Sequence, residues 1–144
     1  MRKVLVLLLV VLAACAGGDG DEPAVCNGQT SRVDIRPGGD VETVDYSDDE
    51  LDVLANACEA SEHLDDEVLR AVGQAFVLED YTAPCAALQA AADQMESNPV
   101  AAVEDGGAAD LVAFVIGDAA RFGQVEALSR ECGDEFARYQ EAIP

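Results

Sequence analysis

Apolar residues recur at helical spacing through much of the chain from residue 47 onward. Leu51, Leu54, Ala55 and Cys58 fall on one face of a helix, as expected of an amphipathic segment. Ser47 followed three positions later by Glu50 is the pattern of a capping box, in which the two residues cap each other's backbone amides. The pattern therefore predicts a first helix that starts at Ser47.

The same spacing predicts four more helical segments, over residues 64–78, 82–95, 108–123 and 124–142. Thr82 ahead of Pro84 predicts an N-cap, because proline is tolerated in the first turn of a helix. Ser97-Asn98-Pro99 and Gly106-Gly107 bound a stretch that we expect to be less regular than the helices on either side. The residues expected to point inward are Leu64, Val68, Val72, Ala75 and Phe76 in the first of these segments; Cys85, Leu88, Ala92 and Met95 in the second; and Val125, Leu128, Cys132, Phe136 and Tyr139 in the last.

Residues 108–122 are apolar nearly all round. A helix of this kind is usually buried at the centre of a bundle, and an exposed dimer or ligand face is the alternative. The run at 111–116 also suits a buried strand, since periodicity does not separate the two at this length. The flanking alanines favour a helix.

Residues 31–46 hold short β-branched runs around Pro37-Gly38-Gly39-Asp40, which predicts a small hairpin or an extended segment. The predicted fold is therefore all-α. It is a small, disulfide-stapled bundle of four or five helices after an extended or short hairpin N-terminal segment. We expect residues 26–144 to form this single helical domain.

The N-terminus has the features of an export signal. Arg2 and Lys3 precede an apolar run over residues 4–12, and the small Ala13 and Ala14 follow it. The run is shorter than the roughly 20 apolar residues that a membrane span needs.

Leu12-Ala13-Ala14-Cys15 resembles the lipobox of bacterial lipoproteins. The resemblance implies that residues 1–14 are a lipoprotein signal peptide and that Cys15 is acylated after cleavage. The protein would then be exported and lipid-anchored, at the outer face of the cytoplasmic membrane or at another envelope membrane. Residues 15–25 would form an acidic tether. An ordinary signal peptide with a chance cysteine is the alternative.

The chain carries 8 basic and 29 acidic residues, a formal charge of −21. Removal of Arg2 and Lys3 with the signal peptide leaves six arginines against the same 29 acids, a charge of −23. Such a charge argues against binding nucleic acid, or an anionic lipid surface, through electrostatic attraction. A basic protein segment or a polycation is the expected partner class, and a solubilising or salt-adapted surface is the alternative.

Four cysteines follow Cys15: Cys26, Cys58, Cys85 and Cys132. An even number in an exported chain predicts two disulfides, and no zinc-ligand or C-x-x-C spacing competes with that interpretation. In an up-and-down bundle a helix of about 15 residues, roughly 20 Å long, separates Cys58 from Cys85, whereas disulfide Cα atoms lie within about 7 Å. We therefore favour Cys58–Cys132 with Cys26–Cys85. Cys26–Cys58 with Cys85–Cys132 is the alternative.

Catalytic and metal-binding motifs are not found in the sequence. His63 is the only histidine, and Ser61, Glu62, Asp65 and Asp66 surround it at the start of a predicted helix, which favours a capping or solvated role. The acidic cluster of residues 45–52 lacks the spacing of a calcium loop. We expect no catalytic residue, no cofactor and no dedicated metal site.

These features predict a non-enzymatic binding or accessory module at the cell envelope, anchored to the membrane through acyl chains on Cys15. A structural, salt-adapted envelope protein without a specific partner is the second hypothesis. A small hydrolase that uses His63 and nearby carboxylates is the third. The sequence leaves the oligomeric state open.

Overall fold

The strands and helices of the protein follow the predicted order along the chain. A computed structural model describes residues 24–144, so the predicted signal peptide, Cys15 and nearly all of the expected tether lie outside the described residues. After a 3-10 turn at Ala24–Cys26, the elements are β1 (Ser31–Ile35), β2 (Val41–Asp45), α1 (Asp48–Ser61), α2 (Asp66–Leu78), α3 (Thr82–Ser97), α4 (Pro99–Ala102), α5 (Ala108–Arg121), α6 (Val125–Glu131) and α7 (Gly133–Ala142). The fold is all-α, small and stapled by two disulfides, as predicted.

Within residues 24–144, every helix is too short or too polar to cross a membrane.

The hairpin predicted for residues 31–46 is present. Strands β1 and β2 pair antiparallel, with Val33 opposite Thr43 and Ile35 opposite Val41. The turn uses Gly38 and Gly39 at positive φ, a region that glycine enters without steric cost. Val33 and Ile35 are exposed on one face of the hairpin. On the other face, Arg32 lies against the helical domain, and its Nη1 donates to Glu50 Oε1 of α1 at 3.3 Å.

Helix α1 begins with the predicted capping box. Ser47 Oγ accepts from the Glu50 amide at 3.2 Å, and the Glu50 carboxylate accepts from the Ser47 amide at 2.8 Å. Two of the later helix starts differ from their predicted positions, one downstream and one upstream. Helix α2 begins at Asp66 rather than at Leu64, and Thr82 is the first residue of α3 rather than its N-cap. Leu64 does not belong to α2 because it lies in the tight turn after α1, where its amide donates to the Ser61 carbonyl.

Helix α5 lies at the centre of the domain, which confirms both the helical assignment and the burial expected for residues 108–122. Its buried side includes Val112, Phe114 and Val115, and α1 and α3 both pack against the helix. The core continues through Val72 and Phe76 of α2, and the largest wholly buried side chains are Phe76, Leu88, Leu128, Val72 and Val115.

The last predicted helix is two helices. Helix α6 ends at Glu131, Cys132 takes non-helical dihedrals, and α7 starts at Gly133. Glycine is a poor helix former, and Asp134 and Glu135 suit the positive end of a new helix. With the short α4 in the stretch that was predicted to be looser, the described chain has seven α-helices rather than four or five. Val125, expected to point inward, is 40% exposed.

The preferred disulfide pairing was wrong, and the alternative is the one that forms. Cys26 bonds Cys58 with Cα atoms 5.0 Å apart, and Cys85 bonds Cys132 with Cα atoms 5.2 Å apart. The 3-10 turn packs on α1, which brings Cys26 to Cys58. Helix α3 packs beside α7, whose N-cap is Cys132, and Arg138 of α7 bonds Glu96 of α3 at 2.9 Å.

Candidate functional site

An acidic cleft lies beside the Cys85–Cys132 disulfide. It has a volume of about 490 Å³ and opens to solvent between the α2–α3 connection and the end of α6. Its lining residues are Glu79, Asp80, Tyr81, Thr82, Cys85 and Glu131. We refer to this set as the acidic cleft, because three of its six residues are carboxylates.

The α2–α3 connection holds two of the three carboxylates in place. Glu79 ends α2 in the left-handed region at φ 53°, which is uncommon for a residue other than glycine. Asp80 Oδ1 accepts from the Thr82 amide at 3.0 Å and from its hydroxyl at 2.7 Å. These hydrogen bonds lower the pKa of Asp80, so its carboxylate stays ionised at neutral pH.

Tyr81 forms a fixed wall of the cleft. Its hydroxyl donates to Gln124 Oε1 at 2.8 Å, and Gln124 Nε2 donates in turn to the Phe76 carbonyl at 2.9 Å. The Tyr81 ring meets the Phe76 ring edge-on at 6.1 Å. Burial, with the Glu79 charge adding to it, raises the pKa of Tyr81, so the hydroxyl remains a neutral donor.

Negative charge dominates the described surface around the cleft. Five of the six arginines in residues 24–144 form ion pairs with carboxylates, namely Arg32, Arg36, Arg121, Arg130 and Arg138. Arg130 directly precedes the cleft residue Glu131 in the chain, and its Nε lies 3.6 Å from Glu131 Oε1. The cleft thus offers carboxylate oxygens to a cation, with the Arg130 guanidinium paired to one of them.

His63 lies in the turn after α1. Ser61 is buried, and its hydroxyl donates to the Cys58 carbonyl at 2.6 Å. The Asp105 carboxylate lies near His63, with Nε2 and Oδ1 3.9 Å apart. Within residues 24–144, no carboxylate oxygen of Glu62, Asp65 or Asp66 lies within 4.0 Å of the imidazole nitrogens.

Among the residues described, one buried side-chain oxygen has no hydrogen-bond partner: Asp118 Oδ2, in α5. The other oxygen, Oδ1, accepts from Arg121 Nε at 3.0 Å. Burial raises the pKa of Asp118, and the Arg121 charge opposes that shift. This carboxyl lies in the helical core rather than in the cleft, so its effect is on stability.

No protein-family model, curated protein or solved structure matches the chain. The function must therefore be argued from the chemistry of the residues.

The three carboxylates of the acidic cleft were missed in the sequence analysis, whereas Thr82 and Cys85 were named there for other roles. Asp80 had a local signal, since an aspartate side chain often accepts from the backbone amide two residues on. Glu131 had none, because it lies 46 positions beyond Cys85 and reaches the cleft through tertiary packing and the adjacent Cys85–Cys132 disulfide. The four disulfide cysteines identified from the sequence all form bonds, whereas Cys15 lies outside the described residues.

Proposed function

We propose that the protein is an exported, lipid-anchored, non-enzymatic binding module of the cell envelope whose acidic cleft receives a basic segment of a partner protein. The observation that carries the proposal is the cleft of about 490 Å³ with Glu79, Asp80 and Glu131 in its lining. A lysine or arginine side chain presents a long stem and a cationic head, which suit a concave site with a tyrosine wall and carboxylate oxygens.

Export and anchoring rest on the N-terminal sequence, with support from the cysteine chemistry. Disulfides persist in oxidising compartments outside the cytoplasm, and the described chain has two of them. Cys15 lies nine positions before Ala24, so a fully extended connection would reach about 30 Å. That length would leave the domain free to turn above a membrane.

The lipid anchor is tested by mass spectrometry of the N-terminal peptide from membrane-extracted protein. We expect cleavage before Cys15 and an acyl mass on that residue, and we expect Cys15→Ser to remain uncleaved and unacylated. An N-terminal peptide that begins elsewhere, with Cys15 unmodified, would contradict the anchor while leaving the cleft untouched.

The cleft is tested with a labelled octalysine peptide and the full-length protein in detergent. The variant Glu79→Gln/Asp80→Asn/Glu131→Gln removes three cleft charges, and the asparagine keeps an oxygen for the Thr82 cap. Exposed charge pairs contribute about 0.2–1 kcal/mol each, so we expect affinity to fall about tenfold. The matched control Glu59→Gln/Glu62→Gln/Glu141→Gln removes three exposed charges elsewhere and should change affinity by less than about twofold.

Equal weakening in the two triple variants would show that the peptide responds only to net charge, and it would favour the salt-adapted surface over a specific site. Cross-linking on intact cells at low and high salt then identifies the native partner. Exposed charges are screened beyond about 10 Å at 0.1 M salt, so a partner of the cleft should be recovered at low salt and lost at high salt.

A further inference from the structure

Three potential metal ligands converge outside the acidic cleft. They are His63 in the turn after α1, Asp105 in the loop before α5, and Asp110 in the first turn of α5. One donor atom from each side chain lies within 4.8 Å of the donor atoms of the other two. His63 lies 42 positions before Asp105, so no local sequence motif contains all three residues.

The backbone around the group is tightly built. Gly106 has φ 78°, and a Cβ atom there would lie 2.7 Å from the His63 carbonyl oxygen. The Gly106 amide donates to Asp110 Oδ2 at 2.7 Å, which orients that carboxylate and leaves Oδ1 free for a ligand. Glycine at position 106 thus lets the loop that carries Asp105 approach the turn that carries His63.

Within residues 24–144, no arginine forms an ion pair with Asp105 or Asp110, and the hydrogen bond to Asp110 comes from the neutral Gly106 amide. His63 Nε2 and Asp105 Oδ1 are 3.9 Å apart, which is within ion-pair range for a protonated imidazole but beyond hydrogen-bonding distance. Two carboxylates and an imidazole in this arrangement are suited to a divalent cation.

We propose that His63, Asp105 and Asp110 bind one Zn²⁺ ion, with solvent at the fourth position. Imidazole and carboxylate are zinc ligands at about 2.0–2.2 Å, whereas calcium requires 6–8 oxygens. Bonds of that length require the three donors to draw together slightly. Asp105, whose side chain is 86% exposed, is free to make that movement. The site is independent of the lipid anchor and of the acidic cleft, and it departs from the expectation of no metal site.

Calorimetry with ZnCl₂ tests the site, using the EDTA-treated full-length chain in a Cys15→Ser background so that no free thiol competes for zinc. We expect one Zn²⁺ per chain and at least a tenfold loss of affinity in each of His63→Gln, Asp105→Asn and Asp110→Asn. The neighbouring exposed carboxylates provide controls, and Glu62→Gln and Glu104→Gln should stay within about twofold of the parent.

Gly106→Ala tests the geometry with all three ligands intact. Its Cβ would displace the loop from His63, so zinc affinity should fall as it does in the ligand variants. If that variant does not fold, His63→Gln and Asp105→Asn still decide the matter, since both replace exposed side chains. The absence of stoichiometric Zn²⁺ binding, or equal binding in the parent and all three ligand variants, would overturn the proposal.

Discussion

Gly117 of α5 lies directly against Ala57 of α1. A Cβ atom built on Gly117 would be 2.1 Å from the Ala57 Cβ and 3.1 Å from the Val53 carbonyl oxygen. Real carbon atoms do not approach so closely, so the two helices can pack at their present separation only because position 117 has no side chain. Since Ala57 is wholly buried, this contact sets the spacing of the two central helices.

Gly117→Ala should therefore destabilise the protein, although alanine favours a helix more than glycine does. Overpacking of a well-packed core typically costs about 1–3 kcal/mol, which exceeds the propensity gain of at most about 1 kcal/mol. Urea denaturation measures the difference. Gly133→Ala is the matched control, because nothing lies within 4 Å of a Cβ at that position, and its stability should equal or exceed that of the parent. A Gly117→Ala protein as stable as Gly133→Ala would contradict the close packing.

The buried Asp118 should make stability depend on pH. Burial raises its folded-state pKa above the ordinary 3.8, so folding favours the protonated carboxyl. Its stabilising contribution is complete below the unfolded pKa and is lost as the pH rises through the folded pKa. Asp118→Asn has no charge to bury, and its amide oxygen can still accept from Arg121 Nε. The free energy of unfolding of Asp118→Asn minus that of the parent should therefore rise with pH.

Urea denaturation from pH 3 to pH 8 measures that difference. Because other carboxylates titrate over the same range in both proteins, only the difference isolates Asp118. A difference that is constant with pH, or that falls as the pH rises, would show that the carboxyl is ionised at no cost in the core.

The capping box of α1 should contribute measurably to stability. Ser47→Ala removes the oxygen that accepts from the Glu50 amide, and loss of such an N-cap costs about 1 kcal/mol. Ser47→Thr retains a hydroxyl at the same position and should recover most of the loss. Thermal unfolding of the two variants and the parent tests this, and indistinguishable midpoints would mean that solvent caps α1 equally well.

Tryptic mapping without reduction should recover two cross-linked pairs of peptides. Cleavage after Arg32, Arg70, Arg121 and Arg130 places each of the four cysteines in its own peptide. We expect the peptide ending at Arg32 to be linked to 33–70, and 71–121 to be linked to 131–138. A cross-link between 33–70 and either 71–121 or 131–138 would contradict the arrangement of the helices.

The two disulfides should also differ little in their effect on stability. Their sequence separations are 32 and 47, and the loop-entropy relation gives about 4 kcal/mol for each. The double variants Cys26→Ala/Cys58→Ala and Cys85→Ala/Cys132→Ala compare them by urea denaturation. A loss many times larger for one pair would indicate that its cysteines contribute through packing as well as through the cross-link.

Local sequence patterns predicted the structure correctly where it depends on residues close together in the chain. The capping box at Ser47 and Glu50 is present, since its hydrogen bonds join residues three positions apart. The hairpin around Gly38 and Gly39 follows from the backbone freedom of glycine in a tight turn. The break at Cys132, by contrast, was not predicted, because the apolar stripe continues across it and outweighed the helix-start residues Gly133, Asp134 and Glu135.

By itself, the sequence determined that the domain is helical, that residues 108–122 are buried and that four cysteines form two bonds, because periodicity and composition already contain those properties. Only the tertiary structure decided which cysteines pair, that Glu131 joins Asp80 in the acidic cleft, and that Asp105 and Asp110 meet His63. Each of those relationships joins positions tens of residues apart. They depend on how the helices pack, and local spacing does not encode the packing.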